Sequence, residues 1–350
     1  MRRFFIFVLF VILALGGAAA WLWHSLNIPY ANFPPPGVFV DIPKGTSERG
    51  ISRLLAQQGV IQNEYAFDAL CRYRSRRTLQ AGEYYFDHPQ NAFAVFDTIA
   101  AGRIYEISVT IPEGFNTFQI ADLLQSKGLM TRDSFLAAAA DPTPIRDLDS
   151  DVPSVEGFLF PATYQFPRHV TAQQIIAKMT DHFRTEWNSL IAEASSPDAI
   201  ITKTPNPEHV VTLASLVESE TPKFSERPII AGVFENRLRI HMALGCDPTV
   251  VYALEKKGLY KGALTLPDLR VDSPYNTYRY PGLPPGPITN PGETSLRAAL
   301  HPAATDALYF VADTEGGHLF AKTLSEHNSN VARYHKLLKQ KSHKEPASAH

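Results

Sequence analysis

A chain of 350 residues is long enough for two or three domains. With 45% hydrophobic and 19% charged residues it has the composition of a globular protein, which excludes wholesale disorder. A formal net charge of −2 supplies no general attraction to nucleic acid or anionic lipid, so no nucleic-acid partner is expected.

Arg2 and Arg3 precede an uncharged run at 4–23. As a helix its roughly 20 residues would span about 30 Å, the thickness of a bilayer's hydrocarbon core. Trp21 and Trp23 suit the far interface, and the two arginines place the N-terminus in the cytoplasm. Ala18-Ala19-Ala20 offers a signal-peptide cleavage site as the alternative, but the run stays apolar through Trp23, as an uncleaved anchor would. On either reading the chain after His24 is exported. Residues 1–3 are thus read as a cytoplasmic N-terminus, 4–23 as a single-pass transmembrane helix, and 24–36 as a linker stiffened by Pro34, Pro35 and Pro36. Export permits a disulfide between Cys71 and Cys246, yet their separation in sequence carries no geometric evidence for one, and two buried thiols are the equal alternative. No C-x-x-C or H-E-x-x-H spacing occurs, and the twelve histidines are scattered, so no metal site and no cofactor are expected.

An internal repeat follows. The stretch V-D-I-P-K-G at 40–45 and V-T-I-P-E-G at 109–114 begin two copies that align without a gap. Ile51 then matches Ile120, Leu54 and Leu55 match Leu123 and Leu124, and Gly59 matches Gly128. Each copy reads as a short strand, a Pro-x-Gly turn and an amphipathic helix closed by glycine. Between the copies, 81–86 reads as a turn entering a strand, 93–101 as a short helix and 104–111 as another strand. The pattern over 37–150 resembles a LysM-like module, a small β-α fold that holds polysaccharide; a spacer without a ligand is the other reading, since no run of exposed aromatics marks a sugar-stacking surface. The stretch 141–154, rich in proline and aspartate, reads as a loop between domains. After it, E-G-F-L-F-P at 156–161 either lines a cleft or turns a corner, and 172–194 is an amphipathic helix with Ile175, Ile176, Met179, Phe183 and Leu190 on its buried side.

The segment 211–220, V-T-L-A-S-L-V-E-S-E, has the apolar density of a buried helix yet carries Glu218 and Glu220 in its last turn, and Pro222 stops it. Apolar neighbours such as Ala214 and Val217 would desolvate a carboxyl there and keep it protonated, as general-acid chemistry on a sugar bond needs. Two residues along a helix turn the side chain by about 200°, so both acids cannot face one cleft, and periodicity alone does not choose between them. A second helix is read at 226–239, tolerating Pro228 in its first turn. Beyond it lie a loop with Asp247 and Thr249, then Tyr275, Asn276 and Tyr278, then a proline- and glycine-dense run at 282–292. Rigid loops presenting Asn, Thr and Tyr groups around a cleft fit saccharide recognition.

The blocks L-A-S-L-V-E-S-E, A-G-V-F-E-N-R-L, D-P-T-V, S-P-Y-N-T-Y and G-L-P-P-G-P-I-T-N-P-G, in this order, closely resemble the endolytic murein transglycosylase (YceG-like) family. The resemblance covers about 38–336 together with the N-terminal anchor, and it assigns 151–336 to the catalytic domain and 337–350 to a flexible tail. It implies an α+β fold: an N-terminal transmembrane helix, a small LysM-like β-α domain, then a mixed α+β catalytic domain. It also implies a lyase that cleaves the β-1,4 bond between N-acetylmuramic acid and N-acetylglucosamine in nascent peptidoglycan glycan strands, leaving 1,6-anhydro ends. Glu218 matches the family's catalytic glutamate, acting first as acid and then as base, which explains why no second catalytic acid is required, unlike in ordinary glycosidases. Asp247, Thr249, Tyr275, Asn276, Tyr278 and Asn236 are candidate substrate-binding residues, each with loop or helix architecture as its alternative role. Glu220 is expected to be structural, in an ion pair with Arg237 or Arg227. The implied location is the inner membrane with the catalytic domain in the periplasm, and the implied partners are peptidoglycan polymerases such as penicillin-binding proteins. The chain departs from the family pattern at Gly245 and Cys246, where glutamine and a hydroxyl residue are usual, and at Ala162, where aspartate is usual. A non-catalytic glycan-binding scaffold for a synthase, or a conventional water-using muramidase, are the alternatives.

Overall fold

The computed structural model describes residues 2–194 and 205–342. The chain forms two compact units, residues 1–107 and 108–350. The division falls before the second repeat copy, so that copy belongs to the second unit, whereas the repeat itself reads as one paired module over 37–150.

The first unit starts with α1 (Arg2–Asn27), which is long and apolar enough to cross a membrane. Its apolar side chains, among them Phe4, Phe10 and Trp23, are exposed over most of its length, and burial begins only at Ser25 and Leu26. β1 (Val38–Ile42), α2 (Glu48–Gln57), α3 (Glu64–Tyr73), β2 (Gly82–Phe86) and α4 (Ala92–Ala100) follow. β1 and β2 pair antiparallel with Val40 opposite Tyr84, and alternation turns Val40, Ile42, Tyr84 and Phe86 inward. Ile51, Leu55, Phe67, Leu70, Phe96 and Ile99 close the core from the helices. Side-chain caps at Ser47, Asn63 and Asn91 start α2, α3 and α4 where the sequence places their first turns. Cys71 is buried and free, and burial pushes its thiol up to about 12.

The second unit opens with β3 (Ile107–Thr110) and α5 (Thr117–Ser126), which reproduce the strand, Pro-x-Gly turn and helix of the first copy. Gly114 sits at φ +78 in that turn, as Gly45 sits at φ +84 in the other, a conformation that favours glycine. α6 (Arg132–Ala139), β4 (Thr163–Phe166) and α7 (Ala172–Ala194) come next, and β3 pairs with β4. α8 (Pro207–Glu220) is capped by Asn206, has Pro207 at its start, and is buried without interruption at 210–217. A helix that is apolar on all faces has no solvent side, so α8 is the central element. Each fully buried side chain such as Leu213, Leu216 or Val217 stabilises the fold by roughly 1.5–3 kcal/mol. α9 (Arg227–Arg239), α10 (Asp247–Lys256) and α11 (Glu293–Leu300) pack around α8. β5 (Tyr309–Ala312) and β6 (His318–Ala321) form an antiparallel hairpin, and α12 (Leu324–Ser342) packs on it. The first residues of the stretch read as a tail are therefore helical, and 343–350 lie outside the described residues. The architecture is a mixed α+β fold with an N-terminal apolar helix.

Candidate active site

Glu218 lies in the last turn of α8, where the helix emerges from the core at the wall of a cavity of about 440 Å³. Asp247, Tyr252 and Glu255 of α10, Gln119 of α5 and Asn116, which caps α5, face the same space, and Ile288 and Thr289 close it from the proline-rich loop. Glu220 is not among the lining residues.

Two donors hold the Glu218 carboxyl. Arg227 Nη2, at the start of α9, donates to Oε1 at 2.6 Å, and the backbone N–H of Gly292, just before α11, donates to Oε2 at 3.0 Å. Only 3% of the Arg227 side chain and 6% of the Glu218 side chain are exposed. The apolar desolvation expected from the neighbours of Glu218 is thus not its surroundings: α8 ends where two donors converge. An ionised or hydrogen-bonded acid at the edge of an apolar helix needs such partners, since an unpaired buried charge costs several kcal/mol. About four acceptor sites are present on a carboxylate and the two donors take two, which leaves the cavity side for substrate. Arg227 Nη1 donates to Thr294 Oγ1, and the exposed Phe224 ring stacks 4.7 Å from the guanidinium.

Glu220 differs from expectation. Arg227 pairs with Glu218 instead, and Arg237 directs Nε and Nη1 to the carbonyls of Leu308 and Leu244. The Glu220 carboxyl meets the Cys246 thiol, and burial pushes both groups upward. Cys246 is itself buried and free.

The walls are tied to α8 by named side chains. Ser215, fully buried, accepts the N–H of Ile288 at 3.1 Å and its carbonyl accepts Thr289 Oγ1 at 3.2 Å, so the conspicuous serine of the helix pins the proline-rich loop. Asn290 does the same for the repeat turn. Its Nδ2 donates to Phe115 O at 2.9 Å and to Glu156 Oε1 at 3.0 Å, its Oδ1 accepts from Leu159 N at 2.9 Å, and its carbonyl accepts from Gly114 N at 3.0 Å. Glu156 is 2% exposed and also accepts from the N–H and hydroxyl of Thr117. Burial pushes its carboxyl up to about 7, against the lowering pull of those hydrogen bonds. The E-G-F-L-F-P segment therefore braces the site from behind.

Asp247 lines the cavity, and Tyr278, half-exposed, donates its hydroxyl to Asp247 Oδ1 at 2.6 Å. Pro248 in the first turn lets α10 begin at Asp247, so this residue is helical where a loop was expected. Thr249 is buried, donating to Cys246 O and sharing a hydrogen bond with Thr277. Asn276 is buried with Nδ2 on the carbonyls of Leu269 and Val271, and Tyr275 is buried against Tyr252. Asn236 donates to the carbonyls of Thr305 and Ala307. The structure thus brings Asp247 and Tyr278 together beside the cavity, while the polar groups of Thr249, Asn276 and Asn236 bond to the protein's own loops. His318 pairs with Glu226 at 2.7 Å and His327 stacks on Tyr309, which places both histidines in packing around the β5–β6 hairpin.

One residue was missed. Glu113, from the Pro-x-Gly turn of the second repeat copy, lines the cavity, and its Oε2 lies 3.7 Å from Arg227 Nη1. The signal was present: the matching position of the first copy is Lys44, the opposite charge on the same turn.

The YceG-like family model matches residues 40–333. A protein of Bacillus subtilis (strain 168) named endolytic murein transglycosylase is 34% identical over 338 residues, covering 92% of this chain and 91% of that protein. A protein of the same name from Streptococcus pneumoniae serotype 2 is 29% identical over 326 residues, 85% of this chain but 58% of its own length. A crystal structure of a YceG-like protein from Listeria monocytogenes shares 34% identity and a TM-score of 0.56, over 84% of this chain and 99% of that one.

Proposed function

The chain belongs to the YceG-like family, and we propose that it is an endolytic murein transglycosylase, a lyase acting on peptidoglycan glycan strands, with Glu218 as its catalytic group. One observation carries the assignment of the residue. Glu218 is the carboxyl that emerges from the central helix into the cavity and is clamped there by a guanidinium and a backbone N–H. A group fixed in this way needs no reorganisation when a glycosidic oxygen arrives.

In the reaction the Glu218 carboxyl gives its proton to the bridging oxygen as the C1–O bond of N-acetylmuramic acid breaks. The carboxylate so formed takes the proton of the C6 hydroxyl as O6 bonds to C1. The enzyme ends protonated as it began, no water is consumed, and the new end is a 1,6-anhydro sugar. Arg227 and Gly292 hold the carboxyl in both steps; Asp247 and Tyr278 contact the glycan, and Thr249, Tyr275, Asn276 and Asn236 shape the loops that present them.

α1 anchors the chain in the inner membrane with the remainder in the periplasm, a reading supported by its length and its uncovered apolar surface. The β1–α2–α3–β2 order supports a LysM-like module in the first unit. Peptidoglycan polymerases are the expected partners of an enzyme that cuts nascent strands. The test is release of soluble fragments from purified glycan strands. Wild-type protein is expected to release them and Glu218→Gln is not; equal release by both sinks the assignment.

A further inference from the structure

Besides Glu218, the cavity is lined by Asp247, Glu255 and Glu113, and the one-acid mechanism leaves Glu113 without a task. Glu113 reaches the cavity from the turn between β3 and α5, and the geometry of that turn is closely specified. Asn290 accepts the N–H of Gly114, and a side chain on Gly114 would come 3.5 Å from Glu218 Cγ, so the turn's backbone lies directly on the catalytic side chain. Gly292 stands between the two acids. Its N–H donates to Glu218, and a methyl group on its Cα would collide with the Glu113 carboxyl. Arg227 faces both, at 2.6 Å from Glu218 and 3.7 Å from Glu113. The first turn of α11 adds Glu293, a further acid near Glu113. Two carboxyls share one guanidinium in this corner, with Glu293 at its edge, so like-charge repulsion opposes ionisation of Glu113.

We propose that Glu113 and Glu218 act as a pair that holds one proton beside Arg227, with Glu113 serving as the positioning residue that keeps the proton at the site. This deepens the transglycosylase reading above and rests on it. Desolvation, and then the nearby Glu218 carboxylate, raise Glu113 above the ordinary carboxylate range, while Arg227 pulls it down. The pair carries one proton at the start. It passes from Glu218 to the leaving oxygen as the C1–O bond breaks, the C6 hydroxyl proton returns to the pair as the O6–C1 bond forms, and the count is again one. Nothing else is consumed. In the first unit the same turn carries Lys44, which cannot do this.

The test is the pH profile of kcat/KM on glycan strands, reported by titration of the pair as a whole. Glu113→Gln keeps the shape of the side chain but holds no proton for the pair. Its alkaline limb is expected to move down by about one pH unit, with turnover at pH 7.5 reduced about tenfold and KM little changed. Glu113→Asp is expected to restore the limb in part. Gly292→Ala, which displaces the Glu113 carboxyl without removing it, is expected to move the limb the same way, and serves if Glu113→Gln does not fold, as checked by thermal melting. A wild-type profile in folded Glu113→Gln overturns the proposal, as does lost turnover with an unmoved limb. Wild-type protein that makes no anhydro ends takes down both readings; active wild type, inactive Glu218→Gln and an unmoved Glu113→Gln limb take down this one alone.

Discussion

Arg227 and Glu218 meet in a buried contact in which a guanidinium at the start of one helix donates to a carboxyl at the end of another, 2.6 Å apart. The pair joins α8 to α9 at the wall of the cavity, and Thr294 takes the other arm of the arginine. Removing one partner of such a pair leaves an uncompensated charge. Arg227→Gln is therefore expected to lower stability by about 3 kcal/mol and to reduce turnover more than tenfold. Arg227→Lys keeps the charge but loses the planar fork, so it should recover most of the stability and only part of the turnover. Thermal unfolding and fragment release, measured on the same preparations, check both.

Asn290 joins three segments through one buried amide: the repeat turn, the Glu156 segment and the proline-rich loop. Asn290→Ala strands the buried N–H of Leu159 and takes one donor from Glu156, while the Phe115 carbonyl keeps the backbone N–H of residue 290; the cost is on the order of 2 kcal/mol. Turnover should fall as well, because the turn that carries Glu113 keeps its two backbone bonds to residue 290 but loses the side-chain bond to Phe115. A melting curve unchanged from wild type would contradict this role.

Glu156 makes stability depend on pH. Its folded-state value of about 7 lies above the ordinary carboxyl value of 4.5, so the folded protein holds this proton more tightly than the unfolded chain. The resulting stabilisation is fully present below about pH 4.5 and is lost as pH rises to about 7; its size is on the order of 3 kcal/mol. Glu156→Gln does not titrate. The stability of wild type minus that of this variant should therefore fall from pH 5 to pH 8, as read by denaturant unfolding at each pH. A difference that rises over that range would reverse the sign of the account.

Glu220 separates the two acids of α8 experimentally. It meets the Cys246 thiol away from the cavity lining, and glutamine retains an oxygen that accepts that thiol. Glu220→Gln should stay within about threefold of wild-type turnover. A loss as deep as that of Glu218→Gln would exchange their roles.

Local pattern made much of this legible. The period of α7, the repeated Pro-x-Gly turns and the continuous burial of α8 follow from apolar spacing and turn chemistry that act within a few residues. Ser215 and the proline-rich loop stood out by type, although the hydrogen bond between them did not. What stayed hidden depends on tertiary pairing. Glu220 is expected to meet Arg237 or Arg227 because helix spacing does not say which acid a neighbouring helix will meet. Glu113 lies about a hundred residues upstream of the arginine it faces, inside a repeat whose symmetry suggested a shared structural task. The Lys44/Glu113 contrast was the one local sign that the copies differ in use.

The most direct test is the mass of the product released from purified glycan strands in isotopically labelled water. Cleavage by O6 attack from a Glu218-assisted step predicts fragments ending in 1,6-anhydro-N-acetylmuramic acid with no label incorporated, absent with Glu218→Gln. Reducing N-acetylmuramic ends carrying the water's oxygen would contradict it.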